Sequence, residues 1–471
     1  MLTQLAIAID THNGMEALSR RLCDDVAAWR FEDLPPDVIH TTKLFVLDTL
    51  GVIGGAARAP GIAELRGRMT RWEKDGSATS LIGKNRMSPP HAALVNGATA
   101  HALDFDDIHD PARVHAFCVM VPTMLATAED IGNVSGRDFL LALAVGAEIH
   151  ARLGLAAYNC LGKGWHPTMT LGVLAGALGA GKLLRLDAGK LLDALGLALH
   201  QASGTAQSMH DGVLAKRLGA GFAARGAVTA AFLAQDGITG PFRPLEGEAG
   251  LFNFFERGEF SLVPLMDDLR GEWRMRDYSC KPYPCCRCNH TTIALALELR
   301  AQGLRPADVA AVEILLPKVN FQTVGQPYDV MRKSVVHAQF NARYTFARAL
   351  TDGRINLDSY TQSAVIEPAV AALASLVSVA IDAQEAATDM APSKIKVTRR
   401  DGSVVEAAGR AIPGSPAAPM TESKILEKFK DCLSFGLDCP EAEAAAVADT
   451  VLTVEEMPDM SRLIRAFPSS R

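Results

Sequence analysis

The chain has 471 residues, of which 48% are hydrophobic and 6% aromatic, and its formal net charge is −6. This length supports a large core and two domains, and the many Ala, Leu and Gly residues favour packed helices over a β-sandwich. The negative charge excludes a generally basic surface, so neither nucleic acid nor a membrane is an expected partner. The first 15 residues lack a basic region and their apolar run stops at Asp10, which argues against a signal peptide. Nine cysteines, an odd number, then favour reduced thiols and a cytoplasmic location.

Helical patterns dominate the first half of the chain. Ile39, Val46, Leu50 and Ile53 recur at helical spacing before residue 75, and a short hairpin is predicted at residues 78–89. The charge-free stretch 164–181 is Gly-rich and carries a His-Pro pair near its start, so it predicts a buried helix rather than a membrane span. Further helices are predicted over residues 91–103, 123–129, 137–155, 168–184, 188–203 and 220–235.

A segment of different character interrupts this pattern near residue 265. Residues 309–316 are typical of a strand, and the Asp401–Gly402 turn predicts a hairpin of strands 394–399 and 404–407. Helical pattern lies between the strand 309–316 and this hairpin, and helices return at residues 422–433 and 440–451. We therefore predict a mainly α protein with two domains. Its large all-helical domain comprises residues 1–265 and 410–471, and its smaller, inserted α+β domain comprises residues 266–409.

A polar cluster lies within residues 96–122, which read NGATAHALDFDDIHDPARVHAFCVMVP. Burying such a cluster in an apolar chain is costly, and clusters kept despite the cost often belong to catalytic sites. A helix end solvated by aspartates explains the same residues equally well, so both interpretations stay open. Within residues 104–115 the cluster holds four carboxylates and two imidazoles: Asp104, Asp106, Asp107, Asp110, His109 and His115.

Three further positions combine an ionisable group with a helix start or an apolar helix. In Gly-Trp-His166-Pro the imidazole stands where backbone N–H groups favour an anion, although simple capping explains it too. Lys216 and Arg217 follow an Asp-Gly turn and suit a carboxylate, although charge pairs on surface helices are common. Tyr344 is either a core tyrosine or a general acid.

The stretch 281–290, KPYPCCRCNH, contains Lys281, Tyr283 and His290. Its prolines hold the chain extended. Cys285-x-x-Cys288 followed by a histidine lacks the second ligand pair of a structural zinc site. With Cys280 these thiols lack the fourth cysteine of a ferredoxin pattern. Packing as small hydrophobes is the favoured role, and an iron–sulfur hydro-lyase is the alternative.

Taken in order, these stretches resemble the MmgE/PrpD family. The matching segments are NGATAHALDFDD with a downstream His115, GWHPT, AKRL, GFAARGAVTAAFLAQDGITGP and KPYPCCRCNH. The family includes 2-methylcitrate dehydratase, cis-aconitate decarboxylase and iminodisuccinate epimerase. The resemblance implies a helical domain built from both termini, an α+β lid, a homodimer, and a site between the domains that uses no metal or cofactor.

The resemblance also implies which residues form the site. Two departures, Ile108 where a hydroxyl residue is common and Phe117 where a smaller residue is common, leave the substrate open. The implied catalytic residues are Asp104, His115, His166, Lys216, Lys281 and Tyr344. The implied substrate-binding residues are Asp107, Arg217, Tyr283 and His290.

The implied function is that of a cofactor-free lyase acting on a small polycarboxylate, in the manner of the dehydratase or the decarboxylase. Lysines would neutralise carboxylates and an enolate-like charge, and a neutral imidazole would move the proton. An epimerase of an iminodisuccinate-type substrate is the alternative within the family. A non-catalytic helical protein that binds an anionic metabolite is the alternative outside it.

Overall fold

The computed structural model describes residues 18–73, 75–157, 160–267, 269 and 271–469. The first 17 residues, including the segment that argues against a signal peptide, lie outside the described residues. Helices make up most of the described chain, which confirms the mainly α class. Sixteen of them lie before residue 267 or after residue 421: Leu18–Ala28, Pro36–Gly55, Ile62–Trp72, Pro89–Ala100, Phe117–Ile131, Gly136–Ala156, Pro167–Thr170, Gly172–Leu183, Ala188–Leu199, Gln207–Asp211, Ala215–Gln235, Leu251–Phe254, Val263–Met266, Glu422–Leu437, Glu441–Leu452 and Ser461–Ala466.

Small residues and side-chain caps define how these helices begin and pack. The Ser135 side chain accepts a hydrogen bond from the Asp138 backbone N–H at the start of Gly136–Ala156, as an N-cap does. A Cβ added to Gly97 would lie 2.9 Å from the Gly221 Cα, so the helices Pro89–Ala100 and Ala215–Gln235 cross in close contact. This crossing brings the end of the first helix to the start of the second, where the candidate site lies.

Two hydrophobic cores organise the described residues. The larger core takes residues from the N-terminal helices and from the C-terminal tail, for example Phe117 and Phe429. The buried Lys428 Nζ lies 2.6 Å from Asp48 Oδ1, which joins the C-terminal helix Glu422–Leu437 to the helix Pro36–Gly55. The second core runs from Cys285 to Val397. The domain boundaries near residues 265 and 410 stay a prediction.

Around the second core lies a four-stranded sheet. Its strands are β5 (Val309–Leu316), β6 (Val377–Ile381), β7 (Ser393–Arg399) and β8 (Val404–Gly409), in the order β6-β5-β7-β8. The predicted strand and hairpin are confirmed, and helices lie between them as predicted, but the same interval also contains β6, which pairs in parallel with β5. Helices in this part are His290–Ala301, Lys318–Val324, Val335–Gln339, Ala342–Asp352 and Pro368–Ser375.

Two short strand pairs complete the fold. The short hairpin predicted at residues 78–89 is confirmed as β1 (Ala78–Thr79) paired with β2 (Arg86–Met87). The pair of β3 (Ile108–His109) with β4 (Tyr278–Ser279) ties the polar cluster to the chain that leads into KPYPCCRCNH. This pairing fixes both segments on the same side of the helical core.

Two of the described helices are long and apolar enough to cross a membrane. In Pro36–Arg58 the most apolar window is 72% buried within the protein, and in Gly136–Ala156 it is 94% buried. Such burial is typical of core helices. The stretch 164–181 is buried too, as the helices Pro167–Thr170 and Gly172–Leu183, in agreement with its predicted role.

Candidate active site

Asp104 stands between two lysines from distant parts of the chain. It follows the helix Pro89–Ala100 with a left-handed φ of +54°, a conformation that Asp tolerates better than most residues. Its carboxylate contacts the Lys216 Nζ and lies 3.4 Å from the Lys281 Nζ, which also donates to the Asp104 carbonyl oxygen at 2.9 Å. One buried carboxylate is thus shared by two buried ammonium groups.

Electrostatics keep this triad ionised. Burial alone raises the pKa of Asp104, but the charges of Lys216 and Lys281 outweigh it and hold that pKa well below its usual value. Burial lowers the pKa of Lys281, yet Asp104 more than compensates and leaves it raised. Lys281 therefore carries a positive charge at neutral pH, as binding of a carboxylate requires.

Next to the triad, Asp106 lies between two imidazoles. Its Oδ2 is 2.7 Å from the His101 Nδ1 and 3.3 Å from the His115 Nδ1. The first distance is a hydrogen bond, whereas the second pair is close without hydrogen-bond geometry. Burial lowers the pKa of His101 to about 4, although Asp106 opposes the shift, so this ring is neutral near pH 7. The hydrogen bond to Asp106 orients the His101 ring, in the way carboxylates orient catalytic histidines.

His166 completes the group of imidazoles. Its ring centroid is 6.0 Å from that of His101, at an interplanar angle of 90°. Burial, followed by the charges of His101 and Lys216, holds the pKa of His166 well below its usual value. The His166 Nδ1 is buried and makes no hydrogen bond to the described residues. A neutral imidazole with an unpaired nitrogen is suited to accept a proton.

A cavity of about 570 Å³, open solvent at its mouth included, joins these groups. Its lining combines Cys286 and Cys288 of the second core with residues of the helical part, among them His115, His166 and Lys216. The Phe340 ring lies 5.5 Å from the Lys216 Nζ and covers it. The structure brings five of the six predicted catalytic residues to this cavity: Asp104, His115, His166, Lys216 and Lys281.

The sixth predicted catalytic residue and two of the predicted binding residues lie elsewhere, which corrects the expected site. The Tyr344 hydroxyl donates to the Ser359 carbonyl oxygen at 2.5 Å inside the second core. The Arg217 Nη1 donates to the Pro60 carbonyl oxygen at 3.1 Å. The Asp107 carboxylate accepts from the backbone N–H groups of residues 116 and 117 at 2.8 and 3.0 Å, so it caps the helix Phe117–Ile131. Each of these three side chains therefore forms hydrogen bonds with backbone groups, in keeping with the rule that buried polar groups are hydrogen-bonded.

Tyr283 and His290 do not line the cavity either. Their ring centroids lie 5.2 Å apart, and the His290 Nε2 is 3.3 Å from the Cys285 carbonyl oxygen. Both rings therefore support the KPYPCCRCNH segment from behind.

Sequence reasoning missed His101, Asp106 and Arg113 as members of the site. The first two lie inside the NGATAHALDFDD segment, five residues apart, but nothing in their spacing distinguishes them from the neighbouring aspartates. Arg113 lines the cavity from the loop before His115. The sequence feature that could have indicated Arg113 is its basic side chain among the acidic residues of the polar cluster.

In the described part of the chain, few side chains are close enough together to bind one metal ion. The one group of three ligand residues with donor atoms within 4.8 Å of one another is His101, Asp106 and His115. Two of its members are joined by a 2.7 Å hydrogen bond, which explains their proximity without an ion. The three cysteines of the iron–sulfur alternative do not form such a group among the described residues. Cys280 lies in the first core, whereas Cys285 and Cys288 lie in the second.

The site is a buried acid–base centre with an excess of cations, enclosed between a helical core and an α+β core. Sequence comparison places this architecture in a known family. The MmgE/PrpD N-terminal domain matches residues 20–262, and the MmgE/PrpD C-terminal domain matches residues 283–453. The chain belongs to the MmgE/PrpD family.

Similar proteins within the curated sequences are cis-aconitate decarboxylases or resemble them. The chain is 28% identical to the cis-aconitate decarboxylase-like protein oryM of Aspergillus oryzae, over 95% of this chain and 96% of the relative. It is 26% identical to the cis-aconitate decarboxylase of Aspergillus terreus, over 96% of both chains. It is 28% identical to the Homo sapiens cis-aconitate decarboxylase, over 90% of this chain and 89% of the relative. By their names, the last two relatives are carboxy-lyases whose substrate, cis-aconitate, is a small polycarboxylate.

Proposed function

We propose that the protein is a cofactor-free lyase that acts on a small polycarboxylate, like a cis-aconitate decarboxylase or a 2-methylcitrate dehydratase. The observation that carries the proposal is the convergence of two histidines and two lysines around one aspartate in a single cavity. Carboxylate recognition needs the lysines, and proton transfer needs the imidazoles. The family and the names of its relatives support the same class of reaction.

Lys216 and Lys281 bind a substrate carboxylate in this proposal. Both are almost fully buried, at 4% and 1% exposure, so water screens their charge little. When carbon dioxide leaves, the electrons of the broken C–C bond flow toward the carbon next to a remaining carboxylate. The two ammonium groups then stabilise the enolate-like charge, as preorganised cations do in other lyase sites.

His115 and His166 handle the proton. The Nδ1 of His115 faces Asp106, which leaves its Nε2 for exchange with a substrate in the cavity. In decarboxylation one of these imidazoles relays a proton from solvent to the carbon that takes up the electrons, so that a C–H bond replaces the broken C–C bond. In dehydration the neutral imidazole removes the proton next to a carboxylate before hydroxide leaves. Such a group contributes roughly 10²- to 10⁴-fold to the rate.

The proposal is tested with a panel of citrate-like acids, including 2-methylcitrate, cis-aconitate and iminodisuccinate, followed by NMR in D₂O. We expect consumption of at least one acid and deuterium incorporation next to a carboxylate. Lys216→Met should reduce that turnover at least about 100-fold, since the developing charge loses a buried cation. The exposed Lys430, which pairs with Glu441 at 3.1 Å, provides the matched control, and Lys430→Met should leave turnover unchanged.

Three outcomes contradict the proposal. Turnover that is equal in Lys216→Met and Lys430→Met removes the lysine from the mechanism. Tight binding of an acid without turnover or deuterium exchange favours the non-catalytic binding protein instead. Interconversion of iminodisuccinate stereoisomers favours the epimerase. The homodimer and the cytoplasmic location stay predictions.

A further inference from the structure

Arg113 is held at the mouth of the cavity by a strained and closed loop. Its φ is +57°, in the left-handed region that side chains other than Gly, Asn and Asp rarely adopt. The His109 N–H donates to the Val114 carbonyl oxygen at 2.8 Å, and the Arg113 N–H donates to the His109 carbonyl oxygen at 2.7 Å. Because β3 begins this loop and pairs with β4, the backbone under Arg113 is fixed. Strain kept in a fixed loop is common at ligand-binding sites.

The side chain of Arg113 faces three adjoining spaces. It lines the inner cavity with Lys216 and Lys281, and it also lines two outer clefts that contain Thr388. It is only half-buried, unlike the two lysines. Arg113 therefore lies where the inner cavity meets the surface.

Arg113 differs from the other arginine of the cavity in having no acidic partner. Asp110 binds Arg287 through two hydrogen bonds of 2.8 Å, to Nε and Nη2. Arg113 donates from Nη2 to the Thr388 carbonyl oxygen at 3.0 Å, and no carboxylate of the described residues lies within 4.0 Å of its guanidinium. The remaining N–H groups of this fork are available to a ligand.

The charges of the lining show what that ligand carries. Asp104 neutralises one of the two lysines, and Asp110 neutralises Arg287. Asp106 is hydrogen-bonded to the neutral His101 behind the cavity and forms no ion pair with Lys216, Lys281 or Arg113. One lysine charge and the Arg113 charge are left without an acidic counterpart, at the inner end and at the mouth of the cavity. A ligand with one carboxylate at each end would balance both.

We propose that Arg113 binds a distal carboxylate of the substrate, and so selects acids that carry a carboxylate beyond the one bound by Lys216 and Lys281. This role rests on the proposed function, because it presupposes that the lysines bind a first carboxylate. The fork geometry of a guanidinium suits a carboxylate in two-point contact. The residue is thus a determinant of specificity, separate from the groups that move the proton.

The test compares two acids of similar shape that have no double bond to react: tricarballylate, with three carboxylates, and 2-ethylbutyrate, which has one carboxylate and methyl groups in place of the other two. Their Kd values are measured by calorimetry on the full chain. Arg113→Asn removes the cation with a residue that tolerates positive φ, so the loop is preserved. Arg410 lines an outer cleft with Arg113 but pairs with Glu385 at 2.9 Å, which makes Arg410→Gln the matched control.

We expect Arg113→Asn to weaken tricarballylate binding about 10- to 100-fold and 2-ethylbutyrate binding less than about threefold, because the monocarboxylate has no distal group for Arg113. Arg113→Lys, which keeps the charge without the fork, should give an intermediate loss, and Arg410→Gln should change neither Kd. Equal weakening of both acids, or of neither, overturns the role of Arg113 while leaving the proposed function standing. If the unsubstituted protein binds neither acid, the lysine site itself fails, and the role of Arg113 fails with it.

Discussion

Replacing Asp104 with Asn isolates the charge that balances the two buried lysines. Asn has nearly the same shape, keeps a side-chain oxygen and tolerates the φ of +54°, so backbone strain and packing change little. The substitution leaves Lys216 and Lys281 without their shared carboxylate. Removing one partner of a buried ion pair typically costs about 3 to 5 kcal/mol.

The structure favours the lower end of that range. Lys281 keeps its hydrogen bond to the backbone carbonyl of residue 104, at 2.9 Å, and Lys216 keeps the Phe340 ring at 5.5 Å. We therefore expect Asp104→Asn to lower the free energy of unfolding by about 3 kcal/mol. Asp104→Ala should cost about 1 kcal/mol more, because Ala also pays for the left-handed backbone.

The measurement is urea-induced unfolding followed by tryptophan fluorescence. Trp29 and Trp273 are buried in the first core with ring centroids 5.3 Å apart, so they report on the part of the protein that holds the site. Tricarballylate should restore more stability to Asp104→Asn than to the unsubstituted protein, because a ligand carboxylate replaces the missing charge. A change below about 0.5 kcal/mol, or equal stability of the Asn and Ala variants, would refute this reasoning.

The pH dependence of that difference follows from the two pKa shifts. The folded-state pKa of Asp104 is below its ordinary value of 3.8, so its contribution is present above that pH and is lost as the pH falls through the folded pKa. The folded-state pKa of Lys281 is above 10.5, so its contribution is present below that pH and is lost as the pH rises through the folded pKa. The stability difference should therefore be constant between about pH 6 and pH 9.

Three further predictions concern the histidines and the cysteines. His115→Gln and His166→Gln should each lower kcat about 10²- to 10⁴-fold with little change in KM, since proton transfer occurs in the transition state; near-normal kcat in both would remove the histidines from the chemistry. Cys288→Ser should leave the metal content and most of the activity of the protein unchanged. Loss of a bound metal together with activity would instead support the iron–sulfur alternative. Burial lowers the pKa of His101 and of His109 from 6.5 to about 4, so both rings stay neutral in the fold while the unfolded chain takes up protons. Stability in urea should therefore fall as the pH drops from about 6.5 to 4, and a flat profile there would contradict the neutral rings.

The positions that local chemistry controls could be predicted from the sequence. Asp401 and Gly402 form the turn of a hairpin because Gly402 adopts a φ of +84° that few other residues tolerate. The alternating pattern of residues 309–316 becomes β5 without a change of bounds. Gly and Ala at the crossing of two helices allow the close contact that brings Asp104 to Lys216. In each case a few neighbouring residues limit the backbone to one conformation.

Strand conformations and side-chain contacts that depend on partners distant in the chain follow only from tertiary packing. The strand β6 has only five residues, with alternating Val377, Val379 and Ile381 inside a helix-like stretch, and its pairing with β5 settles its conformation. Tyr344 and Arg217 carry the right chemistry for the site, yet their hydrogen bonds go to backbone carbonyls outside the cavity. The amino-acid sequence specifies which residue types are available for acid–base chemistry on an anion. Which of them face the same cavity follows only from packing, because a buried polar side chain turns toward the partner that satisfies it, and that partner is remote in the chain.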